Sequence, residues 1–315
     1  MGEHDELAER FEAHREQLRA VAYRMLGSLS EADDAVQETW LRLSRTDLGG
    51  IENLEAWLRT VVSRLCLDML RTRTSRREDP LGWQVPALAG GDDPEQEAVL
   101  IESVGRAMLV VLDRLPPAER VAFVLHDLFA VPFDQIAPIV ERTPVAAKKL
   151  ASRARHRVRG TGPVPDAELG RQRRVVEAFL AAARSGDLHA LLAVLAPDVV
   201  RRADPMVLTP GRETVARGAD TVARETLVFG RRAKEADPAL IDGRVGAVIA
   251  PRGRLLLALT IRTEGDRVAE YDIIADPARL ARLTLAVLDP PSDERAGCHD
   301  WECDTLRPDA DPRRA

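Results

Sequence analysis

The spacing of hydrophobic residues changes near residue 165, and this change constrains the fold more than any other feature. Before it, apolar residues such as Leu18, Val21 and Met25 recur at intervals of three and four, the spacing of one helical face. After it, short apolar runs typical of strands occupy 244–251, 254–263 and 267–275. The pattern predicts a multi-domain chain with two all-α helical domains followed by an α+β domain, in which helices pack on antiparallel strands.

Two segments of linker composition divide the 315 residues. Residues 79–95 are rich in Pro, Gly and Asp, and a second linker is predicted at 161–170. A chain longer than roughly 250 residues also favours several domains over one core. The predicted domains are 1–78, 96–160 and 171–289, followed by a tail at 290–315 whose Pro-rich, charged composition predicts disorder.

Composition excludes several classes of protein. Hydrophobic residues make up 45% of the chain, an ordinary fraction for a folded protein, and no run approaches the ~20 apolar residues of a membrane span. The charged N-terminal segment has no apolar core typical of a secretory signal. Three cysteines, Cys66, Cys298 and Cys303, provide no disulfide framework. We therefore expect a cytoplasmic protein that has no membrane partner.

The distribution of charge predicts contact with a polyanion. The formal net charge is −6, but residues 1–58 carry 13 acids and 6 bases, a balance of −7. The segment from Arg59 to Arg77 has six arginines against Asp68, or +5, and the segment from Arg142 to Arg159 has seven bases and no acid, or +7. Such local basic blocks are typical of nucleic-acid contacts, although an Arg-rich helix face is also common as a plain solvated surface.

Residues 131–160 have the pattern of a helix-turn-helix. Thr143 as the N-cap and Pro144 at the first helical position are a strong start signal for its second helix. Pro138 lies inside the first helix and should kink or shorten it. A helix-turn-helix presents its second helix to the major groove of DNA. The outward residues predicted on that helix are Lys148, Lys149, Ser152, Arg153 and Arg155.

The first helical module has a different pattern of charged and aromatic residues. Ser30 is a plausible N-cap of a helix whose outward face carries Asp33, Asp34 and Glu38, which predicts a basic protein partner. The next helix, which Asn53 could cap, joins Trp57 to a row of arginines. Aromatic and cationic side chains together suit single-stranded or melting DNA. Trp40 and Trp57 are equally interpretable as core residues, because tryptophan on a helical stripe is usually buried.

These segments resemble a known family in order and spacing. SEADDAVQETWLRL (30–43) with NLEAWLRTVVSRLCLDMLRTRTSRRE (53–78) resembles region 2 of the extracytoplasmic-function (ECF) sigma factors of the sigma-70 family, and residues 112–160 resemble their region 4. The remainder is similar to the subgroup with a fused SnoaL-like C-terminal domain. The segment around Trp83 resembles the Trp-Leu-Pro linker of that subgroup, and Asp276 to Leu280 resembles its Asn-Pro-Asp-Lys-Leu segment. Asp204 stands where the subgroup has an Asp followed by a glycine run, here replaced by Pro205-Met206-Val207.

The resemblance implies an alternative-type sigma factor that binds core RNA polymerase and directs promoter-specific transcription initiation. It implies regulation in cis by the C-terminal domain, with no separate anti-sigma protein required. The implied site residues fall in four groups: core-polymerase binding by Asp34, Gln37, Glu38 and Leu41; the −10 element by Asn53, Trp57, Arg64, Arg71, Arg73, Arg76 and Arg77; the −35 element by Lys148, Lys149, Ser152, Arg153 and Arg155; and regulation by Trp83, Asp204, Asp276 and Pro277.

The C-terminal domain contains the residues to consider for a catalytic, cofactor or metal site. The resemblance implies a cone-shaped domain whose pocket can bind a small molecule or, in enzyme relatives, hold a catalytic carboxylate. No nucleophile and base spacing accompanies the carboxylates, so we predict no catalytic residue, no enzymatic activity and no cofactor. The Cys298-His299 and Cys303 cluster lacks a second ligand pair, so no metal is assigned. The candidate catalytic carboxylates are those of Asp198, Asp204, Glu270 and Asp272. His126 and His156 are interpreted as structural residues or as residues close to phosphate.

Two other functions are compatible with parts of this pattern. A one-component helix-turn-helix regulator with a ligand-sensing C-terminal domain would use the same DNA-binding segment, but it leaves the acidic face at 31–38 unexplained. A SnoaL-like enzyme fused to a DNA-binding module is the third hypothesis. Binding of the free chain to a palindromic site would favour the first of these alternatives, and turnover of a polyketide-like or steroid-like substrate would favour the second.

Overall fold

The first helical module contains three packed helices. The computed structural model describes residues 3–76, 105–160, 165–208, 211–233 and 235–288. The helices are α1 (Glu3–Leu26), α2 (Leu29–Leu43) and α3 (Leu54–Arg76). Ser28 caps α2 in place of the predicted Ser30, because the helix begins at Leu29, two residues after the left-handed Gly27, and the Ser28 side chain accepts from the Glu31 amide. Asn53 caps α3 as predicted, its Oδ1 accepting from the Ala56 amide at 2.9 Å.

The second module contains the helix-turn-helix. Its helices are α4 (Arg106–Asp113), α5 (Pro117–Phe123) continued by one π-helical turn (Val124–Leu128), α6 (Phe133–Ile136) and α7 (Pro144–Arg159). The predicted shortening by Pro138 is confirmed, since α6 ends two residues before it. Thr143 caps α7 with its hydroxyl oxygen 3.3 Å from the Ala146 amide nitrogen, as predicted. Four small or apolar residues of α7 face the core: Ala147, Ala151, Ala154 and Val158.

The third module combines four helices with one mixed sheet. Its helices are α8 (Asp166–Ser185), α9 (Leu188–Val194), α10 (Ala219–Ala233) and α11 (Pro277–Arg282). Its strands are β1 (Leu195–Ala203), β2 (Val215–Arg217), β3 (Ala236–Ile241), β4 (Arg244–Ile249), β5 (Leu257–Glu264), β6 (Arg267–Ile274) and β7 (Leu285–Ala286). They are ordered β2-β1-β6-β5-β4-β3-β7.

The sheet corrects the expectation of a purely antiparallel arrangement. Strand β1 pairs with β6 in parallel, while the other strand pairs are antiparallel. A parallel pair needs a long crossover, and the residues between β1 and β6 supply one by including α10 and four intervening strands. The prediction of two helical domains followed by an α+β domain is confirmed.

The sheet is buried on both faces, which joins the modules. In β4, Val245 and Ile249 point into the core that the sheet shares with α8 and α10, whereas Val248 points to the opposite side. That opposite side belongs to one continuous apolar cluster that also contains Leu58 of α3 and Leu109 of α4. Alternate residues of a strand point to opposite faces, so a strand that is apolar throughout is expected to be covered on both sides. Helices α4 and α7 of the second module contact strands of the sheet on this side.

In the ranges that the structure describes, no helix is both long enough and apolar enough to cross a membrane.

Candidate nucleic-acid and protein interfaces

The outward face of α2 carries the residues predicted to bind core polymerase. Asp34 and Gln37 are exposed, and Leu41 keeps 38% of its surface accessible, a large fraction for a leucine. Glu38 lies between them, half-buried, and accepts from Nε of Arg42 at 3.0 Å. The four predicted residues therefore share one accessible surface, in which a leucine is bordered by carboxylates.

The acidic part of this face is smaller than predicted. Nε of Arg19 lies 2.7 Å from Oδ1 of Asp33, so that carboxylate is already paired within the module. Glu31 accepts from Nε of Arg73 at 3.2 Å. Glu38 is likewise paired, with Arg42 of the same helix, whereas Asp34 is exposed on this face.

The arginine face of α3 lies against the helix-turn-helix. Arg64 Nη2 donates to the carbonyl oxygen of Pro138 at 3.0 Å, and Arg71 Nη2 donates to Glu141 at 3.2 Å. A third arginine, Arg59, donates to the side-chain oxygen of a glutamine in α6, again at 3.0 Å. The two predicted −10 arginines are thus held by acceptors that lie 74 and 70 residues further along the chain.

Three other predicted −10 residues have roles inside the first module. Arg73 donates to the Leu26 carbonyl oxygen at 2.9 Å as well as to Glu31, which ties the end of α3 to α1 and α2. Asn53 uses its side-chain oxygen as the α3 cap, and Trp57 is half-buried against the helical core. The side chain of Arg76 and the whole of Arg77 lie outside the described residues.

The predicted −35 residues divide into two sets along α7. Lys148, Lys149 and Ser152 are exposed toward the N-terminal half of the helix. Arg153 instead places its Nε 2.8 Å from Oε1 of Glu119, and Arg155 places its Nε 2.7 Å from Oδ1 of Asp127. These two arginines link α7 to α5 and the π-helical turn, although Arg153 keeps 55% of its side chain exposed. Lys148 and Lys149 are the exposed cations of the N-terminal half.

Asp204 organises the predicted regulatory cluster. Its Oδ2 accepts from the amides of Ala275 and Asp276 at 2.8 and 2.9 Å, and its other oxygen accepts from Arg279. Burial disfavours its ionisation, but the two amides and the guanidinium outweigh burial, so the pKa of the Asp204 carboxyl is lowered. Asp276 caps α11, accepting from the Arg279 amide at 2.8 Å, and Pro277 is the first helical residue. Trp83 lies outside the described residues.

Helix α11 in turn contacts the second module. Arg114 Nη2 donates to the Leu280 carbonyl oxygen at 2.7 Å, and Nη1 donates to that of Leu283. Burial in this contact lowers the pKa of Arg114. The Val287 amide also donates to the carbonyl oxygen of Val158, near the end of α7, at 2.8 Å. Residues 280–287 thus bind both ends of the second module, and sequence analysis did not identify Arg114.

A buried arginine joins the first two modules. Arg120 on α5 is 2% exposed, with Nη1 3.4 Å from Oδ1 of Asp113 and Nη2 3.5 Å from the carbonyl oxygen of Arg24. Burial lowers its pKa to about 10, opposed by the Asp113 carboxylate. An arginine inside an apolar cluster has no periodicity that would distinguish it, so the sequence carried no signal for this contact.

The C-terminal module encloses an apolar cavity of about 50 Å³. The hydroxyls of Thr226 and Tyr271 lie 2.8 Å apart at its wall, and burial raises the pKa of Tyr271 to about 12. None of the four candidate carboxylates lines this cavity. Glu270 pairs with Arg202, and Asp272 lies 3.6 Å from the same guanidinium. The other residues lining the cavity are Phe179, Leu180, Ala183, Val207, Ala236, Ile249, Leu257, Leu259 and Ile273.

The two helical modules match the models of two protein families. Residues 10–76 match Sigma-70 region 2, and residues 105–158 match Sigma-70 region 4. The probable ECF RNA polymerase sigma factor SigI of Mycobacterium tuberculosis is 34% identical over 293 residues, covering 90% of this chain and 98% of that protein. The ECF RNA polymerase sigma factor SigJ of the same species is 38% identical over 304 residues, covering 87% and 93%.

Solved structures give weaker likenesses. The crystal structure of M. tuberculosis SigJ has 34% identity and a TM-score of 0.44, covering 87% of this chain and 98% of that one. A SnoaL-like protein from Burkholderia thailandensis has 19% identity and a TM-score of 0.28, covering 36% of this chain and 97% of that one. Family membership rests on the sequence relatives, which match this chain at more than 30% identity over nearly their whole length. The chain belongs to the ECF RNA polymerase sigma factors of the sigma-70 family.

Proposed function

We propose that this sigma factor uses three separate helices to bind core RNA polymerase and direct promoter-specific initiation. The α2 surface formed by Asp34, Gln37, Glu38 and Leu41 would dock on core polymerase. The arginine face of α3 would open the −10 element, and the N-terminal half of α7 would read the −35 element. The observation that carries the proposal is the exposed, cationic, outward face of α7 on the second helix of a helix-turn-helix.

The contact between α3 and the helix-turn-helix supports control of this activity within the chain. The −10 and −35 elements are about 25 base pairs apart, or roughly 85 Å at 3.4 Å per base pair. Helices that touch through Arg64 and Arg71 cannot occupy both elements at once. The arrangement described here is therefore a closed form, and promoter binding requires α3 and the helix-turn-helix to separate.

The C-terminal module is proposed to stabilise the closed form. Residues 280–287 hold the second module through Arg114 and Val158. Control by this covalently attached module would require no separate anti-sigma protein. We assign it no enzymatic activity, because Asp204, Glu270 and Asp272 have cationic partners and lie outside the cavity wall. The apolar cavity suits a small apolar ligand, and the chain is proposed to act in the cytoplasm.

Run-off transcription tests the function itself. The full chain with core polymerase is expected to initiate at discrete start sites, and the chain without core polymerase is expected to bind promoter DNA weakly. The physical reason is that the closed form covers the −10 surface while leaving the α2 surface accessible. Tight binding of the free chain to a palindromic site, with no initiation when core polymerase is added, would favour the one-component regulator.

Replacing Glu141 tests the closed form. Glu141 has a positive φ of 56°, which glycine tolerates, so Glu141→Gly removes the acceptor of Arg71 with little cost to folding. Both partners are exposed, so the pair contributes less than about 1 kcal/mol, and the variant together with core polymerase is expected to bind promoter about two- to fivefold more tightly.

A matched control separates charge from backbone strain. Glu141→Gln removes the charge but keeps a non-glycine residue at this positive φ, so the backbone strain is unchanged. It is expected to reproduce most of the increase in promoter affinity. Small-angle scattering should show a larger radius of gyration for both variants in low salt. An unchanged radius and unchanged promoter affinity in both variants would contradict the closed-form proposal.

A further inference from the structure

Val145 is the most exposed of the large hydrophobic side chains in the described part of the chain, with 67% of its surface accessible. It is the second residue of α7, directly after Pro144. Single exposed apolar residues are common on protein surfaces, so exposure alone does not assign a role. The position of this valine on the recognition helix provides the second observation.

Val145 shares a face of α7 with the exposed cationic residues. Lys148, Lys149 and Ser152 follow it by three, four and seven residues, which is the spacing of neighbours on one side of a helix. Ala147 and Ala151, on the opposite side, are fully buried. The face directed away from the core is thus a stripe that begins with an apolar group and continues with two ammonium groups and a hydroxyl.

The chemistry of this stripe fits the major groove of DNA. The N-terminal residues of a recognition helix contact base edges, and the only apolar group on a base edge in the major groove is the C5-methyl of thymine. Valine suits this contact because its β-branched side chain is held in one rotamer in a helix, so little freedom is lost on binding. The lysines can contact guanine or the phosphates.

We propose that Val145 determines specificity in the −35 element by contacting the methyl group of a thymine. This inference rests on the proposed function and extends it to a residue that sequence analysis did not select. Arg153 and Arg155 are ion-paired with Glu119 and Asp127, whereas Val145 lies exposed in the first turn of α7, where a recognition helix contacts base edges. Among the large hydrophobic side chains of α7, Val145 is the one that lies exposed.

The test uses the full chain bound to core polymerase. Preferred −35 sequences are first selected from a pool randomised over that element, and each thymine on either strand is then replaced by deoxyuridine, which removes the methyl group alone. One such replacement is expected to weaken binding of the wild type about fourfold, the effect of losing one buried methyl group. The same replacement should leave Val145→Ala unaffected.

Control variants keep the result specific to this position. Val145→Ala should fold normally, because alanine has the higher helix propensity. Val228→Ala changes an exposed valine of α10, 56% accessible, and should retain the thymine preference of the wild type. The proposal is overturned if no deoxyuridine weakens wild-type binding, or if one weakens Val145→Ala equally. Failure of the wild type to bind any promoter with core polymerase would overturn the proposed function as well.

Discussion

Replacing Asp204 by alanine is expected to lower the free energy of unfolding of the C-terminal module by about 2–4 kcal/mol, because two buried amides lose their acceptor. These amides belong to Ala275 and Asp276, which lead into α11. The Asp204→Asn variant keeps an acceptor oxygen but loses the charge, so its cost should be about half as large. Thermal or urea denaturation measures both values.

The Asp204 effect should depend on pH. Its pKa is lower in the folded protein than the ordinary value of about 3.9 in an unfolded chain. The ionised carboxylate therefore contributes stability above pH ~4, and this contribution is lost as the pH falls through the lower, folded-state pKa. The difference in stability between wild type and Asp204→Ala is expected to be constant near neutral pH and to shrink below about pH 4. A difference that grows on acidification would contradict this assignment.

Loss of the Asp204 contacts should also loosen the closed form. Helix α11 bears the Leu280 carbonyl, and the adjoining Leu283 carbonyl is the other acceptor of Arg114. Transcription with core polymerase is expected to rise in Asp204→Ala. Arg279→Gln is the matched control, since it removes the half-exposed cationic partner and leaves both amide contacts in place. Equal transcription and stability in all three proteins would assign these contacts no role in control.

Replacing Leu41 by lysine should weaken binding to core polymerase about 30-fold or more, equivalent to the ~2 kcal/mol typical of a central interface residue. Leu41 is the apolar centre of an accessible face bordered by Asp34 and Glu38. Lysine removes the apolar contact and adds repulsion toward a basic partner. Position 41 lies in the last turn of α2, where a positive charge interacts favourably with the helix dipole, so folding should be preserved.

Two further variants check the location of the polymerase surface. Leu41→Met conserves an apolar group and should retain most of the affinity. Val228→Lys places the same charge on an exposed valine of the C-terminal module and should bind core polymerase as the wild type does. Titration of labelled core polymerase measures all three dissociation constants. Equal losses from Leu41→Lys and Val228→Lys would mean that α2 is not the docking surface.

Local signals accounted for the features that sequence analysis predicted well. Thr143 and Pro144 start α7, as predicted, and Asp276 and Pro277 start α11 by the same kind of local signal. A cap depends on a hydrogen bond to an amide three residues away, so the sequence contains the entire interaction. Ser28 in place of Ser30 shows the limit of this reasoning, because neighbouring serines offer equivalent caps and the backbone at Gly27 selected one.

Partners distant along the chain are the contacts that the sequence did not predict. Arg73, Arg153 and Arg155 were assigned to DNA, but they bind carboxylates 42, 34 and 28 residues away. A basic block in the sequence does not distinguish an arginine directed to solvent from one that holds two helices together. Strand β4, which is apolar from Val245 onward, did contain a signal that both faces of the sheet are covered, although the covering surface was not identifiable.

The sequence by itself determined the helical modules, the helix-turn-helix and the family, because capping, hydrophobic period and motif spacing act within short stretches of chain. Only the tertiary structure decided which charged residues are exposed to a partner and which form ion pairs within the chain. It also decided that α3 faces the helix-turn-helix and that the sheet packs on the second helical module. These arrangements depend on long-range burial of apolar surface and on ion pairs, whose partners are selected by the packing of the whole chain.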